Sequence, residues 1–213
     1  MKITQTPLVL LALGLTPLCI LPAQEKELID ALTRIDSKGK GNAEAVQVWS
    51  AIEKLNASSI PGLLQAMNKA NDLGDNWIRA AISEILSRSE KKFPQKQILS
   101  FLENQKNSGS SRKLAFEILR ENKPALASSL ISNFIDDREP TLRRLAVGEL
   151  LTSARASKDM IKAAALFEKV LQKGREVDQI KEASNALEKG GRKVDLQSLM
   201  GFLPEWKTIG PFD

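Results

Sequence analysis

Between Glu27 and Gly190 the chain alternates short apolar stripes with polar breaks, and the stripes keep helical spacing. Leu63, Leu64 and Met67, then Ile98, Leu99 and Leu102, then Leu126, Leu130, Ile131 and Phe134 fall at i, i+3, i+4 intervals, each one face of an amphipathic helix. Pro61, Pro94 and Pro124 precede these stripes, at the helix start, where a missing N–H costs nothing. Polar breaks follow at Asn71–Asp75, Asn107–Ser110 and Asp136–Pro140, made of residues that favour turns. A second set of stripes comes after them, from Trp77 to Leu86, Leu114 to Leu119 and Leu142 to Leu151. The pattern predicts three helical hairpins.

Weaker hairpins flank these three. Leu28, Ile29, Leu32 and Ile35 share one face, and Ala45, Val48, Trp49, Ile52 and Leu55 another, with Lys38-Gly39-Lys40-Gly41-Asn42 as the stop and restart between them. At the other end Met160, Ile161, Ala164, Ala165, Phe167 and Leu171 precede Ile180, Ala183, Ala186 and Leu187, and Gly190-Gly191 closes the pattern. A small-residue anchor recurs at Ala45, Ala81, Ala115, Ala146 and Ala183, at intervals of 36, 34, 31 and 37 residues. Periods of this size mark stacked helix pairs, none of which buries its apolar face alone. The distance from the proline to the anchor is 20, 21 and 22 residues in the three central units. Strand-like alternation is missing before residue 200, so the body reads as all-α. Trp49 and Trp77 fall on the apolar stripes and read as core.

The second helices share a basic-x-Ala-x-x-x-Leu/Ile pattern: Arg79-Ala80-Ala81 with Ile85, Lys113-Leu114-Ala115 with Leu119, Arg144-Leu145-Ala146 with Leu150, and Lys181-Glu182-Ala183 with Leu187. With the proline at the first helix and the acidic or Asn/Gly turn, this pattern resembles the HEAT-repeat family over roughly residues 25–190. The first unit departs from it, with Ala43 in place of the base. The resemblance implies an armadillo-like, right-handed α-solenoid of about five antiparallel hairpins, an interaction scaffold whose second helices line a concave face, and no fixed chemistry.

Recurrence puts Arg79, Lys113, Arg144 and Lys181 on one face of successive units. They form either a ladder for an acidic protein partner or internal bonds with the turn acids Asp75, Asp137 and Asp178. Directional carboxylate–guanidinium bonds that tie neighbouring repeats in register are the favoured reading. Asp136, Asp137 and Glu139 lack the alternate spacing and glycine of a calcium loop and read as turn chemistry.

Composition narrows the function. The 213 residues contain no histidine, no tyrosine and one cysteine, Cys19, which removes the commonest general base and metal ligand and, beyond Cys19, the thiol nucleophile. Neither a phosphate-binding loop nor a nucleophile elbow is present. A non-enzyme without cofactor or metal is expected. The net charge of +5 is interleaved along the helices, not gathered into the patch a nucleic-acid or membrane-surface binder needs. A nucleic-acid protein resembling the helical-repeat DNA glycosylases is therefore disfavoured.

Residues 1–23 read as a bacterial signal peptide: Lys2, an apolar run from Leu8 to Leu15, and Leu21-Pro22-Ala23 as a cleavage site. Loss of Lys2 with this leader leaves a charge of +4. A retained N-terminal anchor is the alternative, and Leu18 before Cys19 argues against lipid attachment. The expectation is an exported periplasmic or extracellular protein with no stable membrane span after cleavage, helical over residues 24–200.

Residues 201–213 leave the helical pattern. Trp206-Lys207-Thr208-Ile209-Gly210-Pro211-Phe212-Asp213 resembles the opening of a β-rich domain in large secreted bacterial proteins. That resemblance implies a truncated accessory segment of a larger exported enzyme, haem-carrying or carbohydrate-active. The alternative is an extended tail that folds back to cap the last helix pair.

Overall fold

The computed structural model describes residues 22–89 and 93–201. Eleven α-helices and no strand are found among these residues. They pair as the periodicity predicts: α1 (Pro22–Thr33) with α2 (Asn42–Ile52), α3 (Ile60–Met67) with α4 (Asp72–Arg88), and α5 (Gln95–Glu103) with α6 (Gly109–Asn122). The fourth pair is α7 (Pro124–Leu130), continued by a 3-10 turn at Ile131–Phe134, with α8 (Pro140–Ala156); the fifth is α9 (Met160–Lys173) with α10 (Val177–Lys189). A short α11 (Leu196–Met200) follows. Contacts between pairs run to the neighbour in sequence: α1 to α3 and α4, α3 to α5 and α6, α6 to α7, and α8 to α9 and α10. The protein is an all-α chain of helical hairpins. The leader up to Leu21 and the proposed strand around Trp206, Ile209 and Phe212 lie outside the described residues, and the cut expected after Ala23 falls in the first turn of α1.

The prolines stand where their missing N–H is harmless: Pro61 in the first turn of α3, Pro94 as the N-cap of α5 and Pro124 as the first residue of α7. The second helices begin earlier than the polar breaks suggest. Asn71 Oδ1 accepts from the amides of Leu73 and Gly74 at 3.0 Å each, so Asp72–Asp75 already belong to α4. Ser108 Oγ does the same for Ser111 at 3.2 Å, drawing Gly109 and Ser110 into α6. A side chain that satisfies the exposed first-turn amides lets a helix start inside sequence that otherwise reads as turn. Between α1 and α2, Gly41 has φ +80°, and an added Cβ would lie 2.6 Å from the Arg34 carbonyl oxygen. Only glycine fits there.

All five anchors are buried, from Ala45, Ala115 and Ala183 at 0% exposure to Ala146 at 2%. One continuous buried cluster runs from Ile29 to Ala146, and a smaller one joins Val147, Leu151, Val170 and Ala183; Ile135 packs against both. The predicted stripe of α9 is only partly covered. Val170 is buried and Phe167 half-buried, while Met160 and Ile161 are 78% and 77% exposed. Their periodicity is helical, but no later hairpin among the described residues covers that edge of α9. Trp49 and Trp77 are half-buried and pack edge-to-face at a centroid distance of 5.4 Å, joining α2 to α4.

Ala115→Leu or Ala146→Leu should destabilise the fold by roughly 1–3 kcal/mol through overpacking. Thermal unfolding reads this directly, and an unchanged melting temperature would show that these alanines do not set the helix spacing.

Candidate functional site

Of the charged residues singled out by the repeat, Arg144 and Asp178 meet across a hairpin boundary, and the others find other partners or none among the described residues. Arg144 on α8 clamps Asp178 in the first turn of α10 with two bonds, one of 2.8 Å from Nη1 to Oδ1, and lies 4.0 Å from Glu176. Arg79 on α4 approaches Glu117 on α6 at 3.9 Å, and Lys113 reaches the same Glu117 at 4.0 Å from within α6. Lys181 is exposed on α10, with no ion-pair partner among the described residues. Asp75 does not pair with Arg79 by a direct bond. It accepts from Ser110 Oγ of the next hairpin at 3.3 Å, and its Oδ1 is buried without a hydrogen bond. Burial raises its pKa, an effect that the Ser110 bond and the nearby Arg79 charge only partly offset.

Asp137 is not the partner of Arg144. It pairs with Arg112, which the repeat pattern passes over in favour of its neighbour Lys113. Arg112 and Asp137 are 2% and 4% exposed. Nη1 donates to Oδ1 at 2.7 Å, Nη2 to Oδ2 at 2.5 Å, and Nε to the Leu102 carbonyl at 2.7 Å. That last bond satisfies one of the carbonyls left open at the end of α5. Asp137 also accepts from the Glu139 amide at 2.8 Å and from Gln105 Nε2 at 3.2 Å. Burial opposes the charge on Asp137, but the bonds from Arg112, the Glu139 amide and Gln105 outweigh it and hold its pKa below the usual carboxylate range. The other acids of this turn are also committed: Asp136 takes Lys173 of α9 at 2.7 Å, and Glu139 caps Thr141 at 3.3 Å. No group of three or more metal-ligating side chains occurs among the described residues.

Amide side chains extend this polar seam to the remaining boundaries. Asn71 Nδ2 donates to the Ile35 carbonyl at 2.8 Å, joining the second hairpin to the first. Asn68 Oδ1 accepts from the Ser108 amide at 2.8 Å and from Ser111 Oγ at 3.0 Å, joining the second to the third. Gln179 Nε2 donates to the Arg144 carbonyl at 3.0 Å, joining the fifth to the fourth. Asn at the turns is a visible signal in the sequence; which hairpin each amide reaches is not. Chemically, the seam is a set of mostly satisfied polar groups, with Asp75 Oδ1 and Gln179 Oε1 the buried oxygens left without a hydrogen bond. The bonds to Asp137 favour its ionised, acceptor-only form. Among the described residues no helix is long and apolar enough to cross a membrane. No protein-family model, curated protein or solved structure matches the chain.

Arg112→Ala leaves a buried carboxylate without its countercharge and should cost about 3–5 kcal/mol in urea unfolding. Replacing the pair together, Arg112→Met with Asp137→Leu, should recover part of that loss. Because the folded pKa of Asp137 is depressed, its stabilisation is present above the unfolded carboxylate value of about 3.9 and fades as pH falls through the lowered folded value. Acid unfolding of the Asp137→Asn variant should lack this component. At the next boundary Asp178 is lowered to about 2, chiefly by its bond to Arg144. In Arg144→Ala, carboxylate NMR titration should find Asp178 raised toward its ordinary value of about 3.9, held somewhat below it by the Gln179 amide, and a pKa that stays near 2 would show that the clamp is not the cause.

Proposed function

We propose that the chain is an exported, non-catalytic HEAT-like solenoid that serves as a scaffold for a protein partner. The observation that carries this reading is the seam. Every boundary between successive hairpins holds a directional polar bond, with Asn71, Asn68, Arg112 and Arg144 each reaching into a neighbouring unit. Such bonds fix the relation of one hairpin to the next, and a stack of fixed hairpins presents a long, preformed surface, which reduces the ordering cost of binding. The carboxylates that carry a turn or a boundary are tied to bases, amides or caps, which supports a structural purpose over catalysis. Lys113 and Lys181, the bases least committed to the seam, are the residues left to meet an acidic partner. The apolar leader from Leu8 to Leu15 supports export.

The test is fractionation of cells with an antibody to the helical region, combined with cross-linking before lysis. A discrete heteromeric adduct in the exported fraction, weakened by Lys113→Glu with Lys181→Glu at unchanged melting temperature, is the expected result. A cytoplasmic protein would refute export, and an exported protein that forms no adduct would refute the scaffold.

A further inference from the structure

The cleavage pattern Leu21-Pro22-Ala23 runs into the first helix, since α1 already begins at Pro22. A cut after Ala23 takes two residues from α1 and keeps every buried residue of that helix, because these start at Ile29 and continue with Ala31 and Leu32. Ala23, Gln24, Lys26 and Glu27 are exposed. The first hairpin can therefore keep its packing after the cut, and the chain then starts with an exposed glutamine inside the first turn of a helix.

Glutamine at a free N-terminus carries its own electrophile. Its α-amine attacks Cδ of the side-chain amide, and a lactam ring closes as the Cδ–Nε2 bond breaks and ammonia leaves with the amine's proton. One C–N bond forms and one breaks, so the step needs no oxidant, metal or second substrate, and the intramolecular geometry supplies the proximity. In the uncut chain the Gln24 nitrogen belongs to a peptide bond and cannot react, so the ring can form only after cleavage. The helix favours the product. A free α-amine would bring a positive charge to the positive end of the α1 dipole, where the first turn carries the acid Glu25. The lactam removes that charge.

We propose that the exported chain begins at Gln24 as a pyroglutamyl residue, a modification that steadies the start of α1 and denies aminopeptidases the free amine they bind. This inference rests on the export reading above and is independent of the partner.

Peptide mass spectrometry of the protein from fractionated cells tests it, with free amines labelled at harvest so that cyclisation during purification is not counted. The expected N-terminal peptide starts at Gln24, is lighter than its encoded sequence by one ammonia, and takes no label on its α-nitrogen. Gln24→Ala should start at the same position with a labelled amine. Hydrogen exchange of its α1 amides should run about two- to fivefold faster than in the cyclised chain. A peptide that starts at Gln24 with a labelled amine would overturn the modification and leave export standing. One that starts at Met1 or at another residue would overturn it through the cleavage site, and the fraction holding the protein then shows separately whether export fails. Equal exchange of α1 in the two chains would overturn the role at the helix start.

Discussion

The buried pair of Arg112 and Asp137 governs how the third hairpin meets the fourth. Both side chains are almost fully removed from water, and neither is tolerable there alone, because an unpaired buried charge costs several kcal/mol. The guanidinium fork therefore has few acceptable settings. It binds both oxygens of Asp137 and, through Nε, the end of α5, so α5, α6 and the turn before α8 are fixed by one side chain. A pair of this kind adds little net stability over apolar packing, but it penalises any slippage between the two hairpins.

The other boundaries meet the same constraint with less buried charge. Asn71 and Asn68 at the N-terminal boundaries and Gln179 near the C-terminus bind backbone or hydroxyl groups of the adjoining hairpin, and Arg144 clamps the exposed Asp178 carboxylate. The polar groups lie beside the turns, where helix ends leave amides and carbonyls to be satisfied. The apolar stripes lie behind them and merge into the cluster that runs from Ile29 to Ala146. Register is set by the seam and cohesion by the core. Where the core divides, after Ala146, the seam persists through Arg144, Gln179 and Lys173.

Reading the sequence recovers the elements well because the helical stripes and the prolines are local signals. It errs where side-chain capping or a contact with another unit decides the outcome. The polar breaks at Asn71–Asp75 and Asn107–Ser110 look like loops, yet capping by Asn71 and Ser108 turns most of their residues into the first turns of helices. The stripe beginning at Met160 looks like core, yet its first residues Met160 and Ile161 are exposed because burial requires a neighbour that the periodicity of α9 does not supply. The bases Arg79, Lys113, Arg144 and Lys181 look equivalent by spacing. Their partners differ, since Arg144 is clamped, Arg79 and Lys113 share Glu117, and Lys181 is unpaired among the described residues.

The sequence by itself determined the all-α class, the hairpin period, the buried alanines and the absence of histidine and tyrosine, since these follow from residue type and spacing along one chain. Only the tertiary structure decided that Asp137 belongs to Arg112, that Arg144 belongs to Asp178 and that α9 keeps an open apolar edge. A pairing over 25 or 34 residues depends on how two hairpins are set against each other, and no local pattern of side chains encodes that distance.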